Sequence, residues 1–264
     1  MNVKSFFKKH YNRIRFYLCA SENPLYMGFY KFIYRPPSGT LSEFLDVYSK
    51  KNSPIKFIQV GANDGFIHDP IQKFIKRDNW SGVMLEPQPE VYEGWLKRIH
   101  KLRPEVKTVN AALSNTEGKE ILYTVSFSSD RWATGLSSFN KNQLIQKIED
   151  GTIENKARKA GVEPPKDKST WIAEKQINTV TAEKVYEMLD GEDLDLLAID
   201  TEGFDFEILK MFDLSKIMPD VIIYEEEHFD QATKESCKNY LTEHEYVYHQ
   251  VGRDAYAVKK GLKI

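Results

Sequence analysis

An apolar run, Phe57-Ile58-Gln59-Val60, opens directly into Gly61-Ala62-Asn63-Asp64-Gly65, a turn with glycines four residues apart. Glycine has no Cβ and accepts positive φ, so such a turn lets backbone pass close to a bound nucleotide. About twenty residues on, a second apolar run, Gly82-Val83-Met84-Leu85, ends in Glu86-Pro87. In nucleotide-binding α/β folds a carboxylate at that offset accepts hydrogen bonds from both ribose hydroxyls. The pair points to an adenosyl cofactor. Asn63 stands where the dinucleotide fingerprint GxGxxG needs its second glycine, and no Gly-Lys-Ser/Thr ending follows Gly65. A pyrophosphate cradle and a P-loop therefore both fit poorly, and S-adenosylmethionine, which carries no phosphate, fits better. For the glycines alone, a plain tight turn after a buried strand is the competing reading.

Acids recur where other apolar runs end. In Ile199-Asp200-Thr201-Glu202-Gly203-Phe204-Asp205, Asp200 closes a buried aliphatic stretch and is expected to point into a cleft. A carboxylate beside a sulfonium favours cofactor binding and can orient an acceptor hydroxyl. Glu202 and Asp205 equally suit the first turn of a helix, where the macrodipole favours acids. Glu225-Glu226-Glu227-His228 follows a later run. Glu225 alone earns a cleft position by the strand-end rule, the remainder reading as a solvated charge run. His228 and His68 are candidate general bases, although lone histidines more often serve structure. The catalytic expectation is Asp200 first, with Glu202 and His228 behind it. Carboxylates with His228 could hold a divalent ion, but no ligand spacing fixes a metal site, and none is assigned.

Arg131-Trp132 and Ser137-Ser138 combine a cation, an aromatic platform and hydroxyls, which together with Glu225 suits a sugar or other polyol. Trp132 serves equally well as a packing anchor. No GxSxG elbow is present, and neither Cys19 nor Cys237 sits in an activating setting.

These residues need strands to carry them. The pattern predicts strands at 55–60, 82–85 and 106–113, with helices at 40–48, 71–76 and 89–102 between and before them. Residues 121–177 break the alternation: a strand at 121–125, a Ser/Thr/Gly stretch, a charged helix-like run to Lys159, and a polar, Pro-bearing segment at 162–167 for which disorder competes. Such insertions are often lids or substrate loops. Alternation resumes with a helix to Met188, a strand at 194–199, a helix at 203–211, a strand at 221–224 and a helix at 232–241. A closing hairpin is expected at 246–249 and 255–258. The resulting fold class is α/β: a mostly parallel seven-stranded sheet ending in an antiparallel hairpin, with helices on both faces, as in class I methyltransferases.

The chain has 264 residues and a formal net charge of -2, enough for one large α/β domain and no global field to recruit nucleic acid. Two distant cysteines without ligand spacing fit a reducing, cytoplasmic compartment. Residues 1–39 read as a basic, aromatic segment and linker ahead of a domain at 40–264. Lys4, Lys8, Lys9, Arg13 and Arg15 share the first twenty residues with Phe6, Phe7, Tyr11, Ile14, Phe16, Tyr17 and Leu18, without one acid. A helix packing its aromatic face on the domain is the first reading, and peripheral contact with the inner face of a membrane the second. The charges run too far for a signal peptide. The oligomeric state is left open.

Taken in order, Gln59-Val60-Gly61-Ala62-Asn63-Asp64-Gly65, Leu85-Glu86-Pro87, Asn110-Ala111-Ala112-Leu113-Ser114, Gly135-Leu136-Ser137-Ser138, Ile199-Asp200-Thr201-Glu202-Gly203 and Ile223-Tyr224-Glu225 resemble the FkbM-type methyltransferase family. The resemblance implies a class I Rossmann-like fold, S-adenosyl-L-methionine as donor, and most often O-methylation of a sugar, glycan or natural product. Many relatives carry an acid at Gln59, and Thr181-Ala182-Glu183 departs from the family's Thr-Leu-Asp. The expected donor contacts are Gln59, Gly61 to Gly65, Glu86 and Pro87, with Asn110 and Ala111 approaching the adenine. A nicotinamide-dependent sugar oxidoreductase, and a non-catalytic glycan-binding or scaffold module, are the rival readings.

Overall fold

The computed structural model describes residues 3–191 and 193–263, and the side chains of Val3, Lys4, Ser5, Phe6, Lys8 and Lys9 lie outside what is described. Five short apolar strands form the parallel part of the main sheet: β1 (Lys56–Val60), β2 (Ser81–Leu85), β3 (Val106–Val109), β7 (Leu196–Ile199) and β8 (Val221–Glu225). The hairpin β9 (Tyr246–Val251) and β10 (Asp254–Lys259) completes it, with β10 antiparallel to both neighbours. The strand order is β3-β2-β1-β7-β8-β10-β9, seven strands in all. This is the expected class I methyltransferase topology.

The central strands read as unbroken hydrophobic runs because both sheet faces are covered. Alternate residues feed two cores: Ile58, Val83, Leu197 and Ile222 on one face, and Phe57, Met84, Leu196 and Ile223 on the other. The second face packs on the helix Leu41–Asn52, capped by Thr40, and on Phe74, Ile75 and Trp80 around the helix Gln72–Asp78.

Register matters most for the site. Val60 lies level with Leu85 on one side and Ile199 on the other, Leu85 with Val109, and Ile199 with Tyr224. Gly61, Glu86, Asn110, Asp200 and Glu225 each follow one of these residues, so they emerge as one row along the carboxyl edge of the sheet.

The run expected as a single strand from Val106 to Leu113 breaks at Asn110-Ala111. Its second half, β4 (Ala112–Leu113), belongs to another sheet with β5 (Gly118–Val125) and β6 (Ile172–Val180), ordered β4-β6-β5. The break lets the Asn110 side chain turn back onto the strand-end loop of β2. The connection from β5 to β6 carries helices at Arg131–Thr134, Lys141–Glu149 and Thr152–Ala160, gathered around Leu136, Ile153 and Trp171. Segment 162–167 is tied to that core, since the Trp171 indole donates to the Pro165 carbonyl (2.8 Å).

The basic segment is a helix, Val3–Ala20, followed by helical turns at Pro24–Gly28 and Phe29–Ile33. Only part of its aromatic content packs inward: Phe16, Cys19 and Ala20 meet Phe66 and Ile99, whereas Phe7, Tyr11 and Ile14 stay exposed. Glu22 fastens the end of this helix, pairing with Lys76 (3.0 Å) and with Arg103 (2.5 Å). Among the described residues no helix is long and apolar enough to cross a membrane.

Candidate active site

Above the row of strand ends lies a cleft of about 760 Å³, counted to its open mouth, within the size range of small-molecule sites. Its floor comes from the ends of β1, β2 and β7 and another wall from the second sheet, through Leu113 and Leu122, with Phe139 packed against that sheet. The insertion closes over it with Arg131, Thr134, Gly135, Ser137 and Ser138.

Glu86 is almost completely buried, at 2% exposed, on the wall of this cleft. One carboxylate oxygen accepts the Asn63 amide (2.9 Å) and the other the Gln88 amide (2.8 Å). Each oxygen keeps a lone pair for a further donor. Burial pushes the Glu86 carboxyl up to about 7, and the two backbone donors only partly offset it. Asn110 donates from its side-chain amide to the carbonyls of Glu86 (2.8 Å) and Pro87 (3.1 Å), and so fixes the loop that carries the carboxylate.

Of the expected donor contacts, Gly61, Asn63, Glu86, Pro87 and Ala111 line the cleft, and the other five are placed elsewhere. Gln59 is buried in β1 and donates to Asp69 (3.1 Å). Asp64 folds under the turn, where one oxygen accepts the amides of Phe66 and Ile67 and meets the Arg131 guanidinium at 3.1 Å. Ala62 and Gly65 are buried behind the turn, and Asn110 acts through Glu86 rather than on the wall. The glycines also have local reasons: a Cβ on Gly61 would lie 1.9 Å from the Asp200 carbonyl oxygen, and one on Gly65 would lie 2.7 Å from Leu96.

On the opposite side the acids separate by role. Asp205 is fully buried and accepts four hydrogen bonds, from the Thr201 amide and hydroxyl, the Gly203 amide and the Glu225 amide. It clamps the β7 loop to the end of β8, a structural task. Asp200 and Glu202 line the cleft. Asp200 makes no side-chain hydrogen bond among the described residues. Burial holds its carboxyl well above the usual range, followed by the charges of Asp205, Glu225 and Glu202, against a smaller pull from Arg131. Glu202 sits in the left-handed region (φ 55) and reaches the His228 imidazole, 3.4 Å away. Burial pushes Glu202 up, but His228, Lys147 and Lys156 outweigh it and leave it below the usual range. Glu225 is buried, 3.3 Å from Arg253, and its carboxyl is pushed up to about 7 by burial and then by Glu202. The His228 imidazole is raised first by its bond to Glu202. His228 and Glu225 lie beside the cleft wall rather than on it.

The insertion residues divide in the same way. Arg131, Ser137 and Ser138 face the cleft, whereas Trp132 packs against Phe127 in the insertion core (ring centroids 5.9 Å), as a packing anchor would. Sequence reasoning passed over Gln88. It is buried, donates to the Thr134 carbonyl (3.0 Å) and accepts from Ser137 (3.3 Å), so it ties the β2 loop to the insertion. Its position two residues after Glu86, between Pro87 and Pro89, was the available signal.

A seven-stranded sheet with this order, and a buried acid after its second strand facing a nucleoside-sized cleft, define a class I methyltransferase fold. The family model described as methyltransferase FkbM domain matches residues 59–248, and the chain belongs to that family. Family and fold together imply a cofactor of the S-adenosylmethionine type. No curated protein matches the sequence. Among solved structures, the chain is similar to methyltransferase FkbM from Methylobacillus flagellatus KT, at 12% identity and a TM-score of 0.46, covering 93% of this chain and 58% of that one. It is also similar to precorrin-6y C5,15-methyltransferase from Geobacter metallireducens, at 12% identity and a TM-score of 0.41, covering 82% and 87%. A putative RNA methyltransferase from Pyrococcus horikoshii aligns at 9% identity and a TM-score of 0.40, covering 88% and 90%.

Proposed function

We propose that this protein transfers a methyl group from S-adenosyl-L-methionine to a hydroxyl of a sugar, glycan or related natural product. The observation that carries the donor half is Glu86: a buried carboxylate on the cleft wall, held by two backbone donors, with lone pairs left for ribose hydroxyls. Ala111, Leu113 and Leu122 offer the apolar surface that an adenine needs. The residues present therefore fit the group.

When bound, the sulfonium supplies a methyl group already activated for attack by an oxygen nucleophile. The chain's own residues then have three tasks. Glu86 and the Asn63 turn hold the donor, Arg131 and the insertion cover the cleft and exclude water, and Asp200 receives the proton that the acceptor hydroxyl loses. The acceptor half is supported by Asp200, which lines the same cleft as the hydroxyl-bearing Ser137 and Ser138. An adjoining cleft adds support: it shares Asn63, Arg131 and Thr134 with the first and presents Tyr17, Trp95 and Arg98, aromatic faces and a cation suited to a polyol.

Isothermal titration with S-adenosylhomocysteine tests the donor half, with NAD as control ligand. We expect saturable binding to the wild type, no binding of NAD, and a loss of about 100-fold in affinity for Glu86→Ala, since two hydrogen bonds to a charged group are removed. Equal affinity in the variant would sink the ribose assignment. A screen of glycan acceptors with labelled donor then tests the acceptor half, and labelled product on no hydroxyl compound would remove it.

Donor affinity should also depend on pH. Hydroxyl donors need the carboxylate, and the free protein holds Glu86 half-protonated near pH 7. Affinity should therefore rise with pH and level off above about pH 8, falling by up to about tenfold per unit below pH 7. The same titration near pH 6 should release a proton, seen as a heat that varies with the buffer's ionisation enthalpy. A flat profile would show that Glu86 is not the titrating group.

A further inference from the structure

Glu202, Glu225 and His228 come from three different places: the loop after β7, the last residue of β8, and the turn beyond it. Even so, one ligand atom from each falls within 4.8 Å of the others. Two ligand atoms of Mg²⁺, each about 2.0–2.1 Å from the ion, are at most about 4.2 Å apart, so a bound ion of this size would draw the three side chains slightly together. Asp200 is an independent pointer. It lines the cleft alongside Glu202, is half-buried there, and has neither a hydrogen bond nor an ion pair among the described residues. Cations already act on the group: Arg253 meets Glu225, Lys156 acts on Glu202, and the charge of Lys147, from the insertion, is felt by Glu202, Glu225 and His228 alike, so a bound ion would take over part of the role Lys147 has in its absence.

We infer that Glu202, Glu225 and His228 form a binding site for a hard divalent cation, of the Mn²⁺ or Mg²⁺ class, at the acceptor end of the methyl-donor cleft. Two carboxylates and one imidazole match that class, because Mn²⁺ accepts both donor types and no thiolate is present to select a softer metal. Three protein ligands leave coordination positions open toward Asp200. There the cation would take the acceptor hydroxyl as a further ligand and make its O–H bond more acidic. The proton passes to Asp200 as the oxygen forms its bond to the methyl carbon and the methyl–sulfur bond breaks. This role rests on the methyltransferase reading, but the site itself does not.

The test is a Mn²⁺ titration of the full chain, previously treated with chelator, read by electron paramagnetic resonance and run beside the S-adenosylhomocysteine titration. We expect one Mn²⁺ per chain, displaced by excess Mg²⁺, with affinity lowered at least about tenfold in Glu225→Gln and in His228→Ala, while both variants still bind S-adenosylhomocysteine and so are folded. Wild type that binds S-adenosylhomocysteine but no Mn²⁺ overturns the site alone. Mn²⁺ binding that both substitutions leave unchanged overturns it as well. Mn²⁺ binding without S-adenosylhomocysteine binding supports the site and removes the methyltransferase reading.

Discussion

Asp200→Asn is expected to lower kcat for methyl transfer by about 10²–10³-fold while leaving S-adenosylhomocysteine affinity within about threefold. The substitution keeps the shape of the side chain and removes its ability to take a proton. Nothing in the fold depends on that carboxylate: the Asp200 amide still donates to the Val60 carbonyl (3.0 Å), and the side chain has no hydrogen bond to lose. The wild-type carboxyl is instead crowded by Asp205, Glu225 and Glu202. Making it neutral relieves that repulsion, so the melting temperature should hold or rise. Slower turnover with undiminished stability is a combination that a structural role does not produce. Asp205 is the contrast, because its four accepted hydrogen bonds make the same change there a structural one. A collapse of S-adenosylhomocysteine affinity in Asp200→Asn, with turnover at saturation unchanged, would move Asp200 to the donor side of the cleft.

The strand-end acids were legible because local rules reach them. An apolar run that stops at a polar residue marks the carboxyl edge of a buried parallel strand, and that rule alone brings Gly61, Glu86, Asn110, Asp200 and Glu225 into one row. The same rule does not say which way a side chain turns once it leaves the strand. Gln59 lies inside β1, where alternation sends it to Asp69, and Asp64 turns beneath the loop to meet Arg131. Gln88 belongs to the cleft through contacts with Thr134 and Ser137, 46 and 49 residues further along the chain, which no local pattern encodes. The split of 106–113 was hidden for a similar reason: both halves suit a strand, and only the pairing of Ala112 and Leu113 with Thr179 and Val180 separates them. The grouping of Glu202 with Glu225 and His228 is tertiary too. It follows from the parallel pairing of β7 with β8, not from any spacing of ligands.

Gly61→Ala is expected to cost about 4 kcal/mol or more of stability, lowering the melting temperature of the ligand-free protein by about 10 °C. From sequence, the glycine reads as a device for letting backbone approach a nucleotide, in which case alanine would weaken donor binding and leave the fold intact. The geometry ranks a different cause first. Gly61 has φ 81, and its missing Cβ faces the Asp200 carbonyl at 1.9 Å, a backbone atom that cannot swing aside as a side chain would. Relief requires the end of β1 to part from the end of β7, where Asp200 is bonded to Val60, and those strands lie at the centre of the sheet. Gly65 is a milder case: its neighbour is the flexible tip of Leu96, so Gly65→Ala should cost less. Thermal unfolding of both variants without ligand separates the two causes. An unchanged melting temperature for Gly61→Ala, with donor affinity lost, would return the glycine to the nucleotide. A large drop means that the turn which receives the donor is shaped by the packing of β1 on β7, so the cofactor site is fixed by the same contact that closes the centre of the sheet.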